Sequence, residues 1–230
     1  MIIVPSNTGA TPQVPVEVVS FQENGLAGYS GDTTWALPTY SPGDLVVAFI
    51  GHYFQPTVPA ASSTVPSFVR AGYSGPTAND GVSVYYGYLP NSGMSMGYWN
   101  STAFWCFNYV VLRKAKTAIP IGGIQVSYAS GATTSATAPS VTMQKANGSS
   151  ALVSFFHTYR TTAGITISTV TPGDFTNHYC ATRAAPNGTS HGFGIFSQAQ
   201  ATSSATTTFA NYSTGGDLYH KSATIEVLAV

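Results

Sequence analysis

Thr102-Ala-Phe-Trp-Cys-Phe-Asn-Tyr-Val-Val-Leu-Arg113 is the stretch on which the fold turns. Taken with a period of two, Phe104, Cys106, Asn108, Val110 and Leu112 point one way, and Trp105, Phe107, Tyr109 and Val111 the other. Aromatic and β-branched residues dominate the run and no capping box precedes it, so it reads as a strand rather than a helix. Both faces are apolar. Such a strand needs cover on both sides, from a second sheet plus a partner surface or from one very large sandwich.

Working outward, apolar runs recur between turn signals. Val16–Phe21 is a first strand, closed by Asn24-Gly25. Ser41-Pro-Gly-Asp44 launches Leu45–Ile50, and a Pro/Ser/Ala-rich loop fills Phe54–Pro66. Ser67–Ala71 and Val82–Tyr88 are strands, and Pro90–Asn100 is loop. Beyond Lys114-Ala-Lys116 come Ile124–Tyr128, the low-complexity Ser130–Ala138, and Pro139–Met143. The turn Asn147-Gly148 then leads to Ala151–Tyr159, and Ile165–Val170 and Phe175–Arg183 follow. Asn187-Gly188 leads to Gly192–Phe196, then Ala205–Phe209 and Ala223–Ala229.

The expected architecture is all-β: an antiparallel, jelly-roll-like β-sandwich of about a dozen strands with minimal helix. Residues 1–15, with Pro5, Pro12 and Pro15, read as an extended N-terminal arm, and 16–230 as a single domain. The domain divides into pseudo-halves of about 16–116 and 117–230. Asp44–Phe49 with His52 and Tyr53 is echoed by Ala151–Phe156 with His157 and Tyr159, an offset of about 107 residues. The echo reads either as an internal duplication or as the chance likeness of short apolar strands.

Composition narrows the function. Charged residues are 7% of 230, against roughly 25% in an ordinary soluble domain. A neutral surface of Ser, Thr, Asn, Gly and Tyr points to packing against neighbours. Eight basic residues scattered along the chain cannot build a phosphate-tracking stripe, which argues against nucleic acid as a partner. Met1–Pro5 has no basic n-region, so no secretory signal is expected, and no run is long enough to span a membrane as a helix. Cys106 and Cys180 read as buried free thiols.

Chemistry is sparse. Gly93-Met-Ser-Met-Gly97 matches a nucleophile-elbow pattern, but that motif needs a strand before the serine and a helix after it, and this segment offers a loop and then a strand. The five histidines, His52, His157, His178, His191 and His220, show no ligand-pair spacing, so neither metal nor cofactor is expected. If the strand ends carrying His52 and His157 meet, those two could come together. Asp44 and Asp174 follow Pro-Gly and read as turn residues, and Glu226 as a solvated or interface residue. No catalytic residue is assigned. Tyr29, Tyr73, Tyr98 and Trp99 read as sitting in Gly/Ser/Asn loops, where they could stack on a glycan or fill a partner interface.

The arm, Trp35 ahead of Pro42-Gly-Asp-Leu-Val-Val-Ala-Phe-Ile50, Phe104–Arg113, Ala138-Pro-Ser-Val-Thr142 before Ala151–Phe156, and the Ser/Gln/Ala/Thr rhythm of Gly192–Thr208 together resemble accessory structural proteins of tailed-bacteriophage virions. These are the head-decoration and tail- or fibre-associated β-sandwiches. The resemblance is one of strand rhythm and covers most of the chain from residue 32. It implies a non-enzymatic virion protein made in the host cytoplasm, homo-oligomeric and bound to other virion proteins through neutral β surface. Ile2, Ile3, Val4, Pro5 and Val14 of the arm would contact a neighbour. The rival readings are a carbohydrate- or receptor-binding lectin-like module contacting host-surface glycan and a glycan hydrolase, which would need two close carboxylates.

Overall fold

In a computed structural model of the chain, residues 14–25, 33–77, 80–99, 104–132, 134–160, 165–184, 190–212 and 217–230 are described. Fifteen strands and no helix occur among them: β1 (Glu17–Gly25), β2 (Thr33–Ala36), β3 (Asp44–His52), β4 (Val69–Thr77), β5 (Asp80–Leu89), β6 (Ser95–Trp99), β7 (Phe104–Arg113), β8 (Ile121–Ala132), β9 (Ser135–Ala138), β10 (Ser150–Arg160), β11 (Ile167–Thr169), β12 (Thr176–Ala184), β13 (Ser190–Ala201), β14 (Thr207–Tyr212) and β15 (Asp217–Leu228).

The strands form two five-stranded sheets, β1-β7-β3-β5-β4 and β12-β13-β10-β15-β8, with a three-stranded sheet β11-β14-β9 and a two-stranded sheet β2-β6. Every pairing is antiparallel. The strand order repeats. If β8, β9, β10, β12, β13, β14 and β15 stand for β1 to β7 in turn, the two large sheets have the same order and β9-β14 matches β2-β6, with β11 left over. Within each half the pairs are nested, first strand with last (β1 with β7), second with second-last (β2 with β6), third with fifth (β3 with β5).

The opening stretch behaves as its periodicity requires. Cys106, Val110 and Leu112 of β7 enter the layer between the large sheets, while Phe107, Tyr109 and Val111 enter a second core on the outer face. That outer cover is internal: Met94, Met96 and Trp99 around β6, Trp35 of β2, and Val58 and Phe68 of the 53–68 loop. Trp35 stacks on Phe107 at 5.3 Å, and Tyr109 Oη donates to the Ala36 carbonyl. Burial of both faces therefore calls for no partner chain. The second large sheet is covered likewise, with Phe156 and Phe196 packed under Phe209, Ala136 and Ala138. In the central layer Leu45, Val47 and Phe49 meet Ala151, Val153 and Phe155, and Phe49 stacks on Phe155 at 5.3 Å and 9°.

Several expectations are corrected. Asn24-Gly25 is not a turn; β1 runs through it, pairing Asn24 with Phe107 and Gly25 with Cys106. Gly72–Gly75 belongs to β4, and the stretch read as loop at 90–100 contains β6. Pro139–Met143 forms no strand, although Val141 packs on Leu152. Asn147-Gly148 does turn, with Gly148 at φ 80° and Ser149 N donating to Asn147 Oδ1 at 3.2 Å. Asn187-Gly188, Tyr29 and arm residues 1–13 lie outside the described residues.

Candidate functional site

The matching strand orders put equivalent residues at an offset of 106, because Phe49 and Phe155 hold the same place against β5 (Val84) and β13 (Ile195). His157 then corresponds to Gly51, and His52 to Thr158. This one-residue slip separates the two histidines. His52 Nε2 bonds Ser83 Oγ at 2.9 Å, whereas His157 Nε2 meets His191 Nδ1 at 3.1 Å, their rings stacked at 5.4 Å.

His157, His191 and Lys221 make one end of the central layer polar. Lys221 is fully buried, its Nζ 5.5 Å from the Tyr159 ring centre and 5.9 Å from that of Tyr128. Burial pushes His52 down to about 3 and His191 to about 4, with Lys221 as a second cause for both, and sends His157 well below its ordinary value. Burial also pushes the Cys106 thiol up to about 12, so it stays protonated and inert. No group of three metal-ligating side chains occurs among the described residues. This end holds neutral imidazoles and one lysine between aromatic faces, which is a packing arrangement rather than a nucleophile-and-base array.

The two long margins of the sandwich differ. At one, β4 lies directly on β8: a Cβ on Gly72 would be 2.7 Å from Val126 Cγ2 and 2.9 Å from Ile124 Cδ1. At the other, β1 faces β12, and the position equivalent to Gly72 is Tyr179, opposite Phe21 and Glu23 in place of Ile124 and Val126. Tyr179 is partly buried against the central core. Glu23 bridges it to Arg183 at 2.6 Å, and the Phe21 ring lies 5.7 Å from that of His178.

Beside these contacts is a cleft of about 360 Å³ with Val16, Val18, Ala151 and Ala199 among its apolar walls. Its polar side carries His178, whose Nε2 meets Ser197 Oγ at 2.7 Å. His178 sits where the β12 register shifts between Asn177 and Tyr179. A serine hydrogen-bonded to histidine is half of a nucleophilic array, but no carboxylate orients this ring among the described residues. The Glu17–Lys114 pair, at 3.1 Å, also lines the cleft.

The sequence-selected residues fare unevenly. Tyr73 lies in β4 and Tyr98 in β6, 37% and 47% exposed, so they sit on strands rather than loops. Trp99 is wholly buried, in edge contact with Phe68, Tyr85 and Phe107, and its Nε1 donates to the Met96 carbonyl at 2.9 Å. It cannot stack on a ligand. Val14 is 48% exposed. Ser95 of the elbow-like motif opens β6 and is followed by strand, with Met94 and Met96 in the core. Glu226 is not solvated: it is fully buried and accepts from Gln144 N (2.6 Å), Lys145 N (2.8 Å) and Ser150 Oγ (2.9 Å), organising the turn before β10. Asp44 is a turn residue as expected, and it also takes Arg113 Nε at 3.0 Å and Nη2 at 2.9 Å. The Tyr53–Phe54 pair after β3, in edge contact at 4.8 Å and 44% and 40% exposed, leaves no sequence signal beyond the start of a Pro/Ser-rich loop.

Searches for a matching family model, a similar curated protein and a similar solved structure each found none.

Proposed function

We propose that the chain is a non-enzymatic structural subunit of a tailed-bacteriophage virion, decorating or stabilising the capsid or tail by packing against copies of itself and other virion proteins. The observation that carries this reading is the surface. Only 7% of residues are charged, yet Val14, Phe21, Tyr53, Phe54, Val69 and Tyr98 are each 37 to 48% exposed. A surface so poor in charge suits lateral packing of many copies better than isolated solubility. The nested strand pairs of each half support a jelly-roll reading, and the repeated order supports an origin by duplication. Electron microscopy of concentrated protein tests the role: ordered rings, sheets or tubes are expected, and uniformly dispersed single particles would count against it.

A second reading, a lectin-like module, is favoured by the Tyr53–Phe54 pair and exposed Tyr98, which offer aromatic faces to a sugar. Glycan-array binding abolished by Tyr53→Ala or Tyr98→Ala would move the assignment there.

A further inference from the structure

We infer that the pocket between the segment joining β7 to β8 and the turn before β10 binds a small divalent oxyanion, phosphate or sulfate, between the ammonium groups of Lys116 and Lys145. The inference goes beyond the virion role and does not depend on it.

The distribution of charge points to the site. The chain has eight basic residues. Arg113, Lys114 and Arg183 are each paired with a carboxylate, and Arg70 and Lys221 lie over tyrosine rings. Lys116 and Lys145 have no carboxylate partner among the described residues, and both line one pocket of about 290 Å³. Glu226, which bonds the Lys145 backbone, is fully buried and forms no ion pair with either lysine. Two like charges on one concave wall focus a positive field into it, and an anion relieves their repulsion.

Both lysines also start from fixed backbone. Lys116 N donates to the Leu228 carbonyl at 2.8 Å, and the Lys116 carbonyl accepts from Tyr88 Oη. Lys145 N donates to Glu226 Oε1 at 2.8 Å, and the Lys145 carbonyl accepts from Ser150 Oγ at 2.9 Å. Left-handed backbone at Lys114 (φ 63°) and Ile119 (φ 53°), which persists only where its surroundings hold it, shapes the first of these segments. Anchoring each residue at its N–H and its carbonyl reduces the ordering that binding must supply.

The residue types select the ligand. Lysine is a compact point charge suited to phosphate, whereas a planar carboxylate is best met by the fork of an arginine, and no arginine among the described residues lines this pocket. A divalent oxyanion matches the two ammonium charges. Thr117, exposed on the same wall, adds a hydroxyl donor, and Leu228 and Ala229 supply apolar wall that strengthens the field. The Ser149 hydroxyl is already given to Asn147 Oδ1 at 2.6 Å.

The test titrates inorganic phosphate, and separately sulfate, into the full chain by isothermal calorimetry, at constant ionic strength in slightly alkaline buffer where phosphate is largely divalent. Saturable binding of one anion per chain is expected. Lys116→Gln and Lys145→Gln should each weaken it about tenfold, as should replacing phosphate by monovalent acetate. Arg70→Gln, at a residue that does not line the pocket, should leave it unchanged. Both lysines are exposed, so their variants spare the core, and circular dichroism and melting verify the fold. Uptake that does not saturate, or an equal loss with Arg70→Gln, means diffuse attraction and overturns the inference, as does undiminished binding by either lysine variant. Acetate bound as tightly as phosphate overturns the choice of a divalent oxyanion. Assembly enters none of these readouts, so this inference and the virion reading fail separately.

Discussion

A side chain at Gly51 has no room: a Cβ there would lie 2.9 Å from Cys106 Sγ and 3.1 Å from His157 Nδ1. The equivalent place in the other half holds His157 itself, so the halves fit large against small where they meet. Gly51→Ala should cost about 1–3 kcal/mol by overpacking. Cys106→Ala in the same chain should return part of that cost, read by denaturant unfolding as a double-mutant coupling. The buried imidazoles give a pH prediction of definite sign. His52, His157 and His191 have folded pKa values below the unfolded value of about 6.5, so the unfolded chain takes up protons first. Their contribution is complete above that value and is lost as pH falls toward the folded values. Each imidazole should remove about 1.4 kcal/mol per pH unit below 6.5. Unfolding free energies measured at pH 7.5, 6.5 and 5.5 check this. A flat profile from 6.5 to 5.5 would mean that these rings are not buried neutral.

Among the elements, β6 tests how the outer face of the first large sheet is closed. Trp99 fills the space between Phe68, Tyr85 and Phe107, so Trp99→Ala should cost about 3–5 kcal/mol. Wild-type stability in that variant, measured by thermal and denaturant unfolding, would return Trp99 to the surface. The long strands were legible from their period of two: β7, β3 and β10 carry apolar residues on both faces, and β15 alternates, with Ala223, Ile225 and Val227 facing the central layer and Ser222, Thr224 and Glu226 the other way. The short covering strands were not. β6 is interrupted by Gly97, so its buried Met96 and Trp99 stand three apart and break the period of two, and β9 is Ser-Ala-Thr-Ala, whose small residues pack closely on a sheet without leaving a hydrophobic signal. Glu226 was misread for a related reason. Alternation tells which face a residue takes, but not that backbone N–H groups of a distant turn will close over a carboxylate there.

For the whole molecule, two halves of matching strand order share one core through their large sheets, and each covers its own outer face with a small sheet. Phe49 on Phe155 marks where they meet. The echo of Asp44–Phe49 in Ala151–Phe156 set opposite faces against each other, Leu45 of the central layer against Leu152 of an outer one; the matching strand orders pair Phe49 with Phe155, an offset of 106, since a one-residue slip in a strand exchanges the faces. The cleft could not be read from sequence at all. Its walls come from β1, β10, β12 and β13 together with Pro15, Val16 and Lys114, segments far apart in the chain. Self-assembly is the central claim, and light scattering of the purified chain across concentration, with and without residues 1–13, tests it most directly. The account predicts a homo-oligomer whose mass falls when those residues are removed; a monomer in both forms at every concentration would contradict it.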